Sequence, residues 1–163
     1  MGRALLVALA AGAIADAYSD RLAAAVIVMS TAATVLDGVD GWIARRTATA
    51  SAFGARFDME VDALLIQILA ILAWRWAKAG VWVLASGLLR YAFVAAGWLL
   101  PWIARPLPPS PRGRAICVVQ IAALLVVLLP AVTPLASSIV AAAALAVLSY
   151  SFLVDTVWLW QRR

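Results

Sequence analysis

The sequence predicts an all-α integral membrane protein, a bundle of six transmembrane helices with short loops, and three observations lead to this prediction. Of the 163 residues 66% are hydrophobic and the mean hydropathy is +1.01, which is more apolar surface than a soluble domain of this size needs. The apolar residues fall into six runs of 13 to 26 residues, lengths that bracket the roughly 20 residues of a membrane-spanning helix. The short connections between the runs imply antiparallel neighbours. With no internal repeat, residues 1–163 are expected to form one domain.

The first three predicted spans flank the most polar part of the chain. The first, 5–17, is short for a span, so either it uses residues 2–18 or residues that would normally precede it are missing. The second, 22–36, runs directly into Asp37. After a loop rich in Arg, Thr and Ser at 45–51, the third span runs from about residue 53 to 74 and carries acids in its first turns.

The last three predicted spans are separated by turns that interrupt a helix. The fourth, 81–103, has Arg90 in its middle, and a proline-rich basic loop, 105–114, cannot be helical throughout. The fifth, 115–129, and the sixth, 135–160, are joined by a tight turn. Alanines at 136–147 suit close helix packing, and we expect them to contribute to a homodimer contact.

The basic residues predict the orientation. With the N-terminus inside, nine arginines lie on the cytoplasmic face, and only Arg21, Arg75 and Lys78 lie on the other. We therefore expect a multi-pass protein of the inner (plasma) membrane with both termini in the cytoplasm and no cleaved signal peptide. The net charge of +5 indicates contacts with membrane lipids and phosphate groups rather than nucleic acid.

Residues 37–62 contain five of the chain's eight acidic residues. Asp37 and Asp40 are three apart and Asp58 and Asp62 four apart, so on helices each pair shares one face. Two such helix ends meeting would gather four carboxylates that repel one another unless cations neutralise them. The chain has no histidine, and hard oxygen ligands suit one or two Mg²⁺ or Mn²⁺ ions.

The surroundings of these acids indicate a phosphate site. A carboxylate inside a span costs about 2.5–3.5 kcal/mol on insertion scales, so acids there are functional by default. Gly41, Ala44 and Gly54 are small enough for helices or a ligand to approach closely, and Arg45 can bind phosphate. Together these features predict a diphosphate site at the membrane surface, where metal ions support phosphoryl transfer.

These residues resemble the signature of the CDP-alcohol phosphotransferase family of membrane phospholipid synthases: Asp37-x-x-Asp40-Gly41-x-x-Ala44-Arg45, then eight residues, then Gly54-x-x-x-Asp58-x-x-x-Asp62. All eight fixed positions and both spacings match, and six spans suit that family. The resemblance implies transfer of a phosphatidyl or similar group from a CDP-activated lipid to a polar alcohol, with release of CMP.

The resemblance also implies a role for each motif residue. Asp37 and Asp58 would be shared by two Mg²⁺ ions, with Asp40 completing one site and Asp62 the other. Asp62 would also be the catalytic base that deprotonates the acceptor hydroxyl. The CDP donor would contact Gly41, Ala44, Arg45, Ser51 and Gly54, with Arg45 on the diphosphate.

The acceptor is predicted from basic residues outside the motif. Family members that use glycerol phosphate tend to carry Gly-Lys-x-Lys-Thr-x-x-Gln, whereas this chain has Arg114 for the first Lys, Ile116 for the second and Cys117 for Thr. An acceptor pocket near Arg90, Arg112 and Arg114 would favour a phosphorylated polyol, glycerol 3-phosphate ahead of inositol phosphate. Family members also usually begin with a cytoplasmic segment that helps to hold the nucleotide, of which only Arg3 is matched here.

Several alternatives stay open at this stage. Arg90 could instead pair within the bundle, and Asp155 is expected to cap a helix or form an ion pair near the cytoplasmic surface. The aspartates could belong to a divalent-cation channel or transporter. Between Asp62 and Trp74, however, the third span has Gln67 as its only polar residue, which is a poor path for ions. The chain could also be a catalytically silent membrane scaffold of the same fold.

Overall fold

A computed structural model describes residues 2–47, 52–100, 102–103 and 111–162, apart from the side chains of residues 44, 45, 52, 53, 55 and 111. Within these ranges it contains no strand and six α-helices, namely α1 (Gly2–Gly12), α2 (Asp20–Arg46), α3 (Ala52–Arg75), α4 (Ala85–Leu99), α5 (Pro111–Leu128) and α6 (Pro134–Trp160). A short 3₁₀ helix, Val81–Leu84, precedes α4. The predicted all-α bundle is confirmed.

The first two helices differ in length from their predicted spans. α1 ends at Gly12 rather than at residue 17, and its 11 residues extend about 16 Å, about half the hydrocarbon core of a bilayer. α2 begins after Ser19, whose Oγ accepts a hydrogen bond from the amide of Leu22 at 3.2 Å. It then continues to Arg46, so that Asp37 and Asp40 lie within the helix rather than beyond its end.

The boundaries around the proline-rich loop also differ from the prediction. α4 ends at Leu99 rather than at residue 103. α5 already begins at Pro111, because proline is tolerated in the first turn of a helix, where its missing N–H has no partner in any case. Arg112 and Arg114 therefore lie in the first turn of α5, not in the loop to which they were assigned.

Three helical segments in the described ranges are long and apolar enough to cross a membrane: Asp20–Ile43, Val81–Leu99 and Pro134–Trp160. Large apolar side chains on these segments face outward, with Trp98, Leu99 and Leu135 between 74% and 82% exposed. Such outward apolar surface suits lipid better than water. The finding supports a membrane protein, and the number of six spans stays a prediction.

The central helix is α3, which packs against α1, α2, α4 and α5. Its buried residues Leu65, Leu69 and Leu72 form one core with apolar side chains from the surrounding helices. The backbone of α4 comes unusually close at Gly87, where an added Cβ would lie 2.8 Å from the Cα of Gln67. Glycine at this position therefore permits the close packing of α3 with α4.

Antiparallel succession gives the bundle two ends with different chemistry. Residues 3, 37, 58, 112 and 155 lie at one end, near the start of odd-numbered helices or the end of even-numbered ones. At the other end Lys78 is only 7% exposed, and its Nζ donates to the backbone carbonyls of Leu129 (3.0 Å) and Val132 (2.7 Å). These carbonyls follow α5, where a helix favours a positive charge.

Candidate active site

The centre of the candidate site is an ion-pair cluster that joins the first three helices. The side chain of Arg3 in α1 is 8% exposed and pairs through Nη1 with Asp37 of α2. Its Nη2 donates to Oδ1 of Asp58 in α3 at 3.1 Å and to the Asp58 backbone carbonyl at 3.2 Å. One guanidinium therefore bridges the two aspartates that the family resemblance places at the middle of the metal site.

In the described contacts, neither of the other two aspartates of the motif pairs with Arg3. Asp62, one turn after Asp58, faces α5, where the Cys117 thiol lies 3.9 Å from its Oδ2. Asp40, one turn after Asp37, is exposed. Each pair of aspartates lies on one helix, and among the described contacts Asp37 and Asp58 are the two that share a partner, Arg3.

The fit of these residues to a metal ion is therefore partial. Within the described ranges no group of three or more His, Cys, Asp or Glu side chains is arranged to hold one. Asp37 and Asp58 do fit a shared cation, because they already share the Arg3 guanidinium, and their carboxylate oxygens are the ligands that Mg²⁺ prefers. The family is generally dependent on divalent cations.

The proposed contacts with the CDP donor are described only in part. Gly41 in α2 and Gly54 in α3 are both partly exposed at the aspartate end of the bundle. The side chains of Ala44 and Arg45 and the whole of Ser51 lie outside the described residues. The roles of these five positions stay predictions.

Two of the three predicted acceptor arginines form ion pairs. Arg90 of α4 donates from Nη2 to Oε1 of Glu60 at 2.7 Å, with both side chains partly exposed. Glu60 therefore meets α4, whereas Asp58 meets α1 and Asp62 meets α5. Opposite charges on two neighbouring antiparallel spans, Glu60 on one and Arg90 on the other, were the signal that could have identified this pair.

The third cluster involves the start of α5 and the end of α6. Arg112 pairs through Nη2 with Asp155, so the expectation that Asp155 forms an ion pair is confirmed. Arg114, two residues further along, is exposed. A groove of about 350 Å³ lies elsewhere, between α4 and α6; it is lined mainly by apolar side chains, including Leu89, Phe93 and Phe152, and does not suit an anionic acceptor.

The fold and the site together define a helical membrane protein with carboxylates and arginines gathered at one end of its bundle. The sequence model of the CDP-alcohol phosphatidyltransferase family matches residues 1–154. The chain therefore belongs to this family, and membership implies transfer of a phosphatidyl group from a CDP-alcohol to an acceptor. No curated protein and no solved structure gives a significant match to the chain.

Proposed function

We propose that this protein is a Mg²⁺-dependent transferase that moves a phosphatidyl group from CDP-diacylglycerol to a phosphorylated polyol and releases CMP. The observation that carries the proposal is the complete eight-position aspartate motif, in a chain that the family model matches over residues 1–154. In support, Asp37 of α2 and Asp58 of α3 both pair with the guanidinium of Arg3, so the two carboxylates can share one cation. The reaction takes place at the cytoplasmic face of the inner (plasma) membrane, and the protein acts there as a homodimer.

The roles of the residues follow from their chemistry. Mg²⁺ or Mn²⁺ bound by Asp37, Asp40, Asp58 and Asp62 would neutralise charge on the donor diphosphate. Arg45 binds that diphosphate through its guanidinium, while Gly41, Ala44, Ser51 and Gly54 accommodate the rest of the CDP group.

The transfer step needs one proton acceptor. Asp62 takes the proton from the acceptor hydroxyl. The freed oxygen bonds the phosphorus that carries the lipid, and the bridging oxygen leaves with CMP. In support of this role, Asp62 lies one helical turn after Asp58, and its Oδ2 accepts the weak hydrogen bond of the Cys117 thiol at 3.9 Å.

The acceptor site is proposed at Arg90, Arg112 and Arg114. In the described contacts both Arg90 and Arg112 use only Nη2 for their carboxylate partners, so Nη1 of each can still donate to a phosphate. Arg114 is exposed and adds a further positive charge. These guanidinium groups would bind a phosphorylated acceptor, whereas a neutral alcohol or a zwitterion would bring no net negative charge to balance their positive charges.

A competition assay tests the acceptor. Glycerol 3-phosphate, inositol phosphate, free inositol and serine are offered together with CDP-diacylglycerol and Mg²⁺, and the lipid products are identified by mass. We expect glycerol 3-phosphate to be used most, with inositol phosphate second. A non-phosphorylated acceptor that wins by about tenfold, about 1.4 kcal/mol, would remove the three arginines from the acceptor site.

Matched variants of one ion pair separate binding from structure. Arg90→Gln and Glu60→Gln break the same ion pair, so any loss of stability that comes from the pair itself is common to both variants. We expect only Arg90→Gln to raise the half-saturation concentration of the phosphorylated acceptor, by about tenfold. If both variants change this half-saturation concentration equally, Arg90 contributes only to the packing of the helices and does not bind the acceptor.

A channel for divalent cations is the competing function from another class. Beyond Asp62 the inner face of α3 is filled by Leu65, Leu69 and Leu72, each at most 2% exposed. Ions crossing there would meet an apolar barrier, which counts against conduction. Mn²⁺ flux into proteoliposomes, measured beside CMP release in the same preparation, distinguishes the two functions.

A further inference from the structure

Arg3 is a buried cation placed on the carboxylates that the proposed function assigns to metal ions. Its side chain is 8% exposed, whereas Asp37 and Asp58 are 30% and 48% exposed. It contacts both carboxylates and a backbone carbonyl of α3, so both terminal nitrogens of its guanidinium point into the site. Among the described residues no other basic side chain pairs with either aspartate.

A guanidinium and a divalent cation cannot use this aspartate pair together without strong repulsion. Oδ1 of Asp37 and Oδ1 of Asp58 both face Arg3. An ion bound to those oxygens would add two positive charges within a few ångströms of the guanidinium, where protein charges interact far more strongly than in bulk water. Binding of one cation therefore disfavours the other.

We propose that Arg3 is a built-in counter-ion of Asp37 and Asp58, and that a divalent cation must displace its side chain to bind there. This inference rests on the proposed metal site. Without the ion, Arg3 holds α1 against α2 and α3 and compensates the two carboxylates. With the ion bound, the guanidinium leaves the pair, and the stability that it contributed is supplied by the metal.

Such an exchange lowers the apparent affinity for metal. For an ion that binds only the population from which Arg3 has withdrawn, the apparent Kd is the intrinsic Kd divided by the fraction of the protein in that population. Where two binding events in a protein influence each other, the coupling is typically about 5–150-fold, and we take this range as the scale for the exchange. Removing the guanidinium should therefore tighten metal binding, although it also removes an attractive contact from the folded protein.

The first test measures Mn²⁺ binding directly, by the loss of the free-ion signal in electron paramagnetic resonance, on the purified full chain in detergent. We expect Arg3→Gln to lower the Kd for Mn²⁺ by about tenfold. Arg3→Lys keeps the positive charge but loses the forked geometry of the guanidinium. Its Kd for Mn²⁺ should therefore lie between that of the natural sequence and that of Arg3→Gln. Arg21→Gln, a loss of the same charge at the other end of the bundle, should leave the Kd unchanged.

Thermal unfolding followed by tryptophan fluorescence gives a second readout that does not depend on activity. With chelator present, Arg3→Gln should unfold at a lower temperature than the natural sequence, because two carboxylates lose their partner. With saturating Mn²⁺ the Tm of the variant should rise more than that of the natural sequence, since no guanidinium has to be displaced.

The natural sequence provides a test that does not depend on whether a variant folds. Phenylglyoxal modifies accessible guanidinium groups, and its product at Arg3 can be quantified by mass spectrometry. We expect little modification with chelator, and at least about fivefold more with saturating Mn²⁺. Arg21, already exposed, should be modified equally in both conditions.

The outcomes separate this inference from the proposed function. If neither protein binds Mn²⁺ at millimolar concentration, the proposed metal site itself is wrong. If both bind with the same Kd, or if Mn²⁺ leaves Arg3 protected from phenylglyoxal, the metal site stands and the exchange is refuted. If Arg3→Gln weakens CMP binding while the Kd for Mn²⁺ is unchanged, Arg3 is a nucleotide contact and not a counter-ion.

Discussion

Replacement of Asp62 by asparagine tests the proposed chemistry at its most specific point. The amide keeps the size of the carboxylate and can still accept a hydrogen bond from Cys117, but it cannot take the proton of the acceptor hydroxyl. A positioned general base contributes roughly 10²–10⁴-fold to a rate, which corresponds to about 2.7–5.4 kcal/mol in the barrier. We therefore expect Asp62→Asn to lose at least about a hundredfold in kcat.

The structure predicts that this loss does not come from unfolding. The Cys117 thiol donates only a weak hydrogen bond to the Asp62 carboxylate at 3.9 Å, and a change in that contact should cost less than about 1 kcal/mol. For a protein of this size that corresponds to a Tm shift of no more than about 4 °C. Activity and stability should therefore respond very differently to the same substitution.

The assay follows CMP release from CDP-diacylglycerol with the preferred acceptor, and Tm is measured on the same preparation. Asp16→Asn is the control, because it makes the same chemical change in the exposed turn at the opposite end of the bundle, and it should keep full activity. An Asp62→Asn variant that keeps more than about a tenth of the natural rate would refute the role of Asp62 as the base.

Three further predictions concern the donor, the metal and the packing of the bundle. Gly41→Leu should raise the half-saturation concentration of the CDP donor by about tenfold or more, while Gly38→Leu, where an added Cβ meets nothing within 4 Å, should change it by less than about twofold. Chelation should abolish CMP release, and added Mg²⁺ or Mn²⁺ should restore it, whereas full activity in chelator would contradict the metal requirement. Gly87→Ala should lower the free energy of unfolding by about 1–3 kcal/mol, because its Cβ would lie 2.8 Å from the Cα of Gln67, and an unchanged Tm would show that α3 and α4 separate there without cost.

The helical bundle could be predicted because hydrophobic runs and proline-rich breaks are local properties of the chain. The boundaries were less accurate where a local signal did not decide between loop and helix. α2 continues through Asp37 and Asp40, where the sequence becomes polar, because no proline interrupts its backbone hydrogen bonds. α5 starts inside the predicted loop because Pro111 can occupy a first helical turn.

Sequence spacing could predict which helix each acidic residue lies on, but not which partner its side chain meets. Helical spacing placed Asp58 and Asp62 on α3, and the opposite direction of Glu60 followed from its intermediate position. Which neighbour each side chain meets depends on which helix lies beside that face. Asp58 meets α1, Glu60 meets α4 and Asp62 meets α5.

The sequence by itself determined the class of protein and its family, because both depend on composition and on the spacing of residues along single helices. Only the tertiary structure decided that Arg3, 55 residues from Asp58, bridges the two aspartates from α2 and α3. An ion pair between distant residues depends on how three helices pack against one another, and the hydrophobic pattern of each helix does not specify its partners. The charge balance of the site is therefore a property of the folded bundle.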